Sequence, residues 1–127
     1  MLKMMSSKEE IMKILENLMK IEDIYACMLV SRGMAGIIPN KKFFRKEILP
    51  IWEMLQMTMD EMFGLIEEYE KYGLKEIFFN LLNYEVIFFI IPNTNTSLVV
   101  ISPSVANKGL IMMELDKTRR DIIKVLK

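Results

Sequence analysis

The sequence predicts an α/β domain with the element order α-β-β-α-β-β-β-α, and three observations carry that prediction. Within Phe43–Ile66 the large apolar residues Ile48, Ile51, Trp52, Leu55, Met59, Met62, Phe63 and Ile66 recur at gaps of three and four. That spacing gathers them on one side of a helix. Beyond Gly73 the period changes, and LKEIFFNLL, YEVIFFIIP and TSLVVISP are β-branched or aromatic runs joined by short polar turns. Amphipathic helical patterns stand at either end. At 127 residues the chain is expected to form one domain, 1–127, without internal repeat, linker or low-complexity tract.

The first helix opens on a capping box, Ser7 with Glu10 three residues later. Ile11, Ile14, Leu15 and Leu18 form its apolar face, Lys8, Lys13, Glu16 and Lys20 lie outside, and it should end between Lys20 and Glu22. Ile24–Ser31 and Met34–Ile38 follow as a hairpin, with Gly33 supplying the positive φ of a tight turn. Gly36 in the second strand marks an edge or a bulge. Pro50 leaves two readings of the central helix. It starts near Leu49 with Pro50 in its first turn, or it starts near Lys42 and is kinked at the proline. The spacing of Phe44 and Ile48 favours the longer, kinked form, and Gly73 is the expected stop. The three strand runs form an antiparallel meander with turns at Asn83 and at Asn93-Thr94-Asn95. Ser104 or Asn107 then caps the last helix, whose buried stripe is expected to be Leu110, Ile111, Leu115, Ile122 and Leu126. Lys124 and Lys127 suit the negative end of its dipole.

Composition removes several function classes. The 17 basic and 17 acidic residues cancel, so no global field draws the chain to nucleic acid or to a membrane. Histidine is absent, which takes away the usual general base and the commonest metal ligand. The single cysteine, Cys27, cannot form an intrachain disulfide or a zinc site, and its neighbours make it a small strand hydrophobe. GMAGIIPNKK, Gly33–Lys42, lacks the GK[ST] ending of a phosphate loop. Glu67, Glu68 and Glu70 read as a solvated helix end rather than a cation site. No catalysis, cofactor or metal is therefore expected. Lys8, Glu9 and Glu10 interrupt the start before any apolar run forms. The longest such run, Val86–Ile91, falls far short of the roughly 20 residues of a spanning helix. The expectation is a cytoplasmic protein with no direct membrane insertion and no nucleic-acid partner. Abundant Ile, Lys and Glu point toward a thermophile, while 13 methionines argue the other way.

Two features concern surfaces. Met54, Met57 and Leu65 lie off the main stripe of the central helix, a second apolar set that another chain could cover. Lys41, Lys42, Arg45 and Lys46 crowd its beginning while Asp60, Glu61, Glu67, Glu68 and Glu70 crowd its end, the reverse of what the helix dipole favours. Two such helices packed antiparallel across a two-fold axis would set basic start against acidic end, with Met54 and Met57 meeting at the middle. Two unrelated solvated charge runs are the alternative. Phe78-Phe79 and Phe88-Phe89 present an aromatic to each sheet face. Both faces therefore need cover, from helices of the same subunit or from a second chain.

The order of elements resembles the roadblock family, the dynein light-chain roadblock type, across nearly the whole chain. IYACMLVSRGMAGII is similar to that family's first strand pair, and VANKGLIMMEL, Val105–Leu115, is similar to its approach to the last helix. There the asparagine and glycine are kept as Asn107 and Gly109, but Lys108 replaces the usual apolar residue between them. The resemblance implies a five-stranded antiparallel sheet with the central helix on one face and the terminal helices on the other. It also implies a homodimer, or a pair with a second roadblock-like chain, in which central helices pair and third strands join the sheets. The expected interface comprises Lys42, Arg45, Lys46, Met54, Met57, Glu61 and Phe78. Family members are noncatalytic platforms for small Ras-like GTPases, or light chains of motors. The solvent side of the paired helices, with Glu53, Gln56, Asp60 and Glu61 at its rim, is the expected partner surface. The rival reading is a sensory domain that encloses a small apolar ligand in a pocket near Trp52.

Overall fold

The structure, a computed structural model, describes residues 6–32 and 34–126. Helix α1 spans Ser7–Leu18, and strands β1 (Ala26–Ser31) and β2 (Met34–Ile37) follow. Two 3₁₀ turns, Lys41–Phe43 and Lys46–Ile48, lead into α2 (Leu49–Glu70). Strands β3 (Glu76–Asn80), β4 (Tyr84–Ile91) and β5 (Thr96–Pro103) precede α3 (Lys108–Leu126). All five strands are antiparallel in one sheet of order β2-β1-β5-β4-β3. The predicted order of elements holds; the Gly33 turn lies outside the described residues.

Period-two alternation sorts the sheet into two faces. Cys27, Leu29, Ile87, Phe89, Ile91, Leu98 and Val100 pack beneath α1 and α3, through Ile11, Leu15, Leu18, Ile111, Leu115 and Ile122. Met28, Val30, Val86, Phe88, Ile90, Val99 and Ile101 pack beneath α2, through Trp52, Leu55, Phe63 and Ile66. The adjacent phenylalanines Phe88 and Phe89 thus serve opposite faces. Helices of the same chain cover both.

Four sequence expectations need correction. The N-cap is one residue earlier: the Glu9 N–H donates to Ser6 Oγ at 3.2 Å, and the Ser6 hydroxyl donates to Glu9 Oε1 at 3.0 Å. SSKEE contains the serine–glutamate spacing twice, so the motif alone leaves a one-residue ambiguity. Helix α1 then ends at Leu18, where the Lys20 and Ile21 N–H groups switch to carbonyls three residues back. Helix α2 starts at Leu49 with Pro50 in its first turn, and the longer kinked form is not what forms. Phe44 and Arg45 are extended, at ψ 147° and 130°. Phe44 and Ile48 reach the core from the two turns, which imitates helical spacing. Pro50 is harmless at this position because its missing N–H would have had no helical acceptor. In α3 the buried stripe is Ile111, Leu115, Thr118 and Ile122, while Leu110 and Leu126 are exposed. Thr118 is tolerated there because its hydroxyl donates to the Glu114 carbonyl at 2.8 Å.

Other expectations hold. Asn107 caps α3 by accepting from the Leu110 N–H at 3.1 Å. Gly73, at φ +85°, stops α2. Gly36 sits on the edge strand β2 opposite a register shift between Leu29 and Ser31. A Cβ there would lie 2.6 Å from the Leu29 carbonyl oxygen, closer than any side chain is accommodated.

Candidate protein-binding surface

At 100° per residue, the outward surface of α2 divides into two stripes. Met54, Thr58, Leu65 and Tyr69 share the flank toward β3, where Ile51, Met54, Leu55 and Thr58 meet Phe79, Leu81 and Val86 around an open apolar groove of about 200 Å³. Glu53, Gln56, Asp60 and Glu67 share the flank toward β2, where Glu67 pairs with Arg32 from the β1–β2 connection. Met57, 82% exposed, and Glu61 lie on the crest between them. The predicted interface residues Met54, Met57 and Glu61 and the predicted partner residues Glu53, Gln56 and Asp60 are all exposed. Met54 and the trio Glu53, Gln56 and Asp60 fall on opposite flanks, while Met57 and Glu61, the latter a member of both predicted sets, lie on the crest between them.

The apolar flank runs on to a free sheet edge. Strand β3 is the last in the sheet. The Lys75 carbonyl and the Leu81 N–H bond toward β4. The antiparallel alternation therefore directs the backbone groups of Glu76, Phe78 and Asn80 outward. Phe78 is 41% exposed and Leu81 42%. The edge is braced from behind by α3. Arg119 lies 4.6 Å above the Phe89 ring, reaches Glu76 at 3.7 Å and donates to the Lys75 carbonyl at 3.3 Å. An exposed apolar edge of this kind is a template for pairing with another strand.

The basic residues are placed differently from the expectation. Lys42, Arg45 and Lys46 lie on and between the 3₁₀ turns before α2, not within the helix. The Lys42 ammonium is 5.2 Å from the centroid of the Phe43 ring, and the Arg45 guanidinium is 4.8 Å from that of Tyr25. Sequence periodicity treats this segment as helix, whereas it forms two 3₁₀ turns joined by an extended pair.

Trp52 is 1% exposed and meets Phe44 edge-on at 4.8 Å. The apolar groove is lined by other residues. Among the described residues no group of three or more His, Cys, Asp or Glu could hold a metal ion. Burial pushes the Cys27 thiol far above its ordinary pKa, so it is not a nucleophile in the folded chain.

No family model and no curated protein sequence matches the chain. Solved structures do. MglB of Myxococcus xanthus is similar with a TM-score of 0.71 at 16% identity, over 99% of this chain and 94% of that one. A gliding protein MglB from Thermus thermophilus is similar with a TM-score of 0.73 at 10% identity, over 98% and 93%. A Roadblock/LC7 domain from Streptomyces avermitilis is similar with a TM-score of 0.66 at 9% identity, over 91% and 96%. The fold of this chain is the roadblock fold.

Proposed function

We propose that this chain is a noncatalytic, self-pairing roadblock-type adaptor that binds or scaffolds a small Ras-like GTPase. The observation that carries the pairing is the continuity of the α2 flank at Met54 and Leu65 with the apolar groove and the open β3 edge. A second copy satisfies both requirements of that surface: it supplies a strand to the edge and a helix to the flank. Antiparallel pairing of two β3 strands centred on Phe78 makes Phe78 a hydrogen-bonded pair with its own symmetry mate, and sets Glu76 against Asn80 of the second copy. Met54 and Met57 then meet their counterparts, and Lys46 supplies a cation near the acidic far end of the partner helix.

The GTPase reading is supported by the roadblock fold together with what the family resemblance implies. The stripe Glu53, Gln56 and Asp60 remains outside such a pair and is the surface for that partner, with Glu61 on the crest where the two surfaces meet. Nothing in the stripe supplies an arginine finger. Stimulation would therefore act by holding the GTPase's own switch loops.

Light scattering of the purified chain over a dilution series tests the pairing. A dimer is expected, converted to monomer by Met54→Asp or by Phe78→Lys. A wild-type monomer at every concentration overturns it. Binding of a purified small Ras-like GTPase from the same source, loaded with GDP or with a GTP analogue, tests the second surface. Glu53→Lys with Asp60→Lys should remove binding and leave the dimer intact.

A further inference from the structure

We infer that one end of the molecule, opposite the β4–β5 turn, docks on an anionic lipid bilayer. Strands β1 and β4 begin at this end and β3 and β5 finish there, which brings four connections together. The Tyr25 N–H donates to the Ile101 carbonyl at 2.8 Å and the Arg45 N–H to the Tyr25 carbonyl at 3.1 Å. The Ser104 N–H donates to the Asn83 carbonyl at 3.0 Å. Phe43 meets Met19 and Lys20 of the α1–β1 connection around a shallow depression.

The apolar groups at this end are open to solvent. Leu82 and Val105 are each 92% exposed, on the adjacent β3–β4 and β5–α3 turns, and Phe43 is 51% exposed on its 3₁₀ turn. Lys41, Lys42, Arg45 and Lys46 flank Phe43 in the chain and Lys20 meets it at the depression, and all five are exposed. The acidic groups beside these cations are Glu16, Glu22, Asp23 and Glu47, and Lys13 adds a sixth cation at the depression, so positive charge is in excess. Glu85 is buried and neutralised by Lys108 at 2.9 Å. Glu67, Glu68 and Glu70 lie at the far end of α2, which is how a chain of zero net charge acquires a basic end.

The shape decides the occupant. A protein partner is recognised by a contiguous apolar core with a polar rim. Here Leu82 and Val105 stand on turns of their own, separate in the chain from Phe43, whose 3₁₀ turn also carries Lys41 and Lys42. A bilayer interface accepts that arrangement: isolated apolar tips enter the acyl boundary while lysines stay among anionic headgroups. No helix has to cross the membrane, and none of the described helices is long and apolar enough to do so. The inference goes beyond the adaptor reading and does not rest on it.

Co-sedimentation of the full chain with vesicles tests it. The chain should pellet with vesicles of phosphatidylcholine plus phosphatidylserine, remain in solution with phosphatidylcholine alone, and be released by salt. Joint Lys20→Glu and Lys41→Glu, at lysines outside the proposed pairing surface, should reduce binding to the neutral-vesicle level. Leu82→Ser with Val105→Ser should weaken it about tenfold. All four side chains are exposed, and unchanged far-ultraviolet circular dichroism will confirm that the variants fold. Failure of the wild type to pellet with anionic vesicles overturns the inference. So does equal pelleting of the lysine variant. Charge-dependent binding to soluble polyglutamate without vesicle binding overturns it in favour of an acidic protein.

Discussion

Lys108 Nζ lies 2.9 Å from Glu85 Oε2, and that contact explains the lysine that departs from the roadblock pattern. Glu85 is only 6% exposed, on the sheet face beneath α3, where a carboxylate needs a partner. The first residue of α3 supplies it, while its ammonium also sits 5.8 Å from the Phe78 ring on the open edge. Lys108→Met, which restores an apolar residue, should therefore cost about 1–3 kcal/mol by leaving Glu85 unpaired. Adding Glu85→Gln should recover much of that loss. Urea denaturation of the two single variants and the double variant closes the cycle, and simple additivity would show that the pair is not coupled.

Trp52 contributes its ring rather than its polar atom. Nε1 is buried with no hydrogen-bond partner among the described residues, while the ring packs on Phe44. Trp52→Ala should cost about 3–5 kcal/mol. Trp52→Phe should stay within about 1 kcal/mol of wild type, because the lost area is offset by removal of an unsatisfied N–H. Thermal melts of both variants distinguish ring packing from a hidden polar contact.

Two glycines should respond to alanine with opposite signs. Gly64 lies within α2 and has open space, free of neighbours within 4 Å, where an alanine Cβ would sit. Gly64→Ala should therefore stabilise by about 0.5–1 kcal/mol. Gly36→Ala drives a Cβ into the Leu29 carbonyl and should destabilise by about 1–3 kcal/mol. Denaturant midpoints measured side by side check both.

Cys27 should be inert until the chain unfolds. It is fully buried, its thiol donates weakly to the Leu15 carbonyl at 3.5 Å, and burial holds its pKa far above the normal range. A disulfide reagent such as Ellman's reagent should leave the native protein unlabelled at pH 8 and react with one thiol per chain in guanidinium. Rapid native labelling would mean that the face beneath α1 opens readily.

Local pattern was enough for much of this fold. The period-two runs at Phe78-Phe79 and Phe88-Phe89 placed aromatics on both faces. Asn93 and Asn95, at φ 63° and 53°, turn the chain as their short polar side chains allow, and Gly73 ends α2. The methionines off the main stripe of α2 were equally legible as an unfilled apolar surface, because periodicity alone says which residues the core leaves out.

The rest depended on contacts between residues far apart in the chain. The start of α2 was misread because Phe44, on an extended segment, reaches Trp52 as a helical residue would. Backbone direction there is set by the docking of Arg45 on Tyr25 rather than by local spacing. The sequence itself thus determined which elements form and which face of each is apolar, since those follow from neighbours within a few residues. Tertiary structure alone decided that Lys108 neutralises Glu85, that β3 is the open edge, and that the outer surface of α2 is apolar toward β3 and acidic toward β2. Those outcomes depend on which strand lies last in the sheet and where a helix comes to rest, relations between distant residues that no local period encodes.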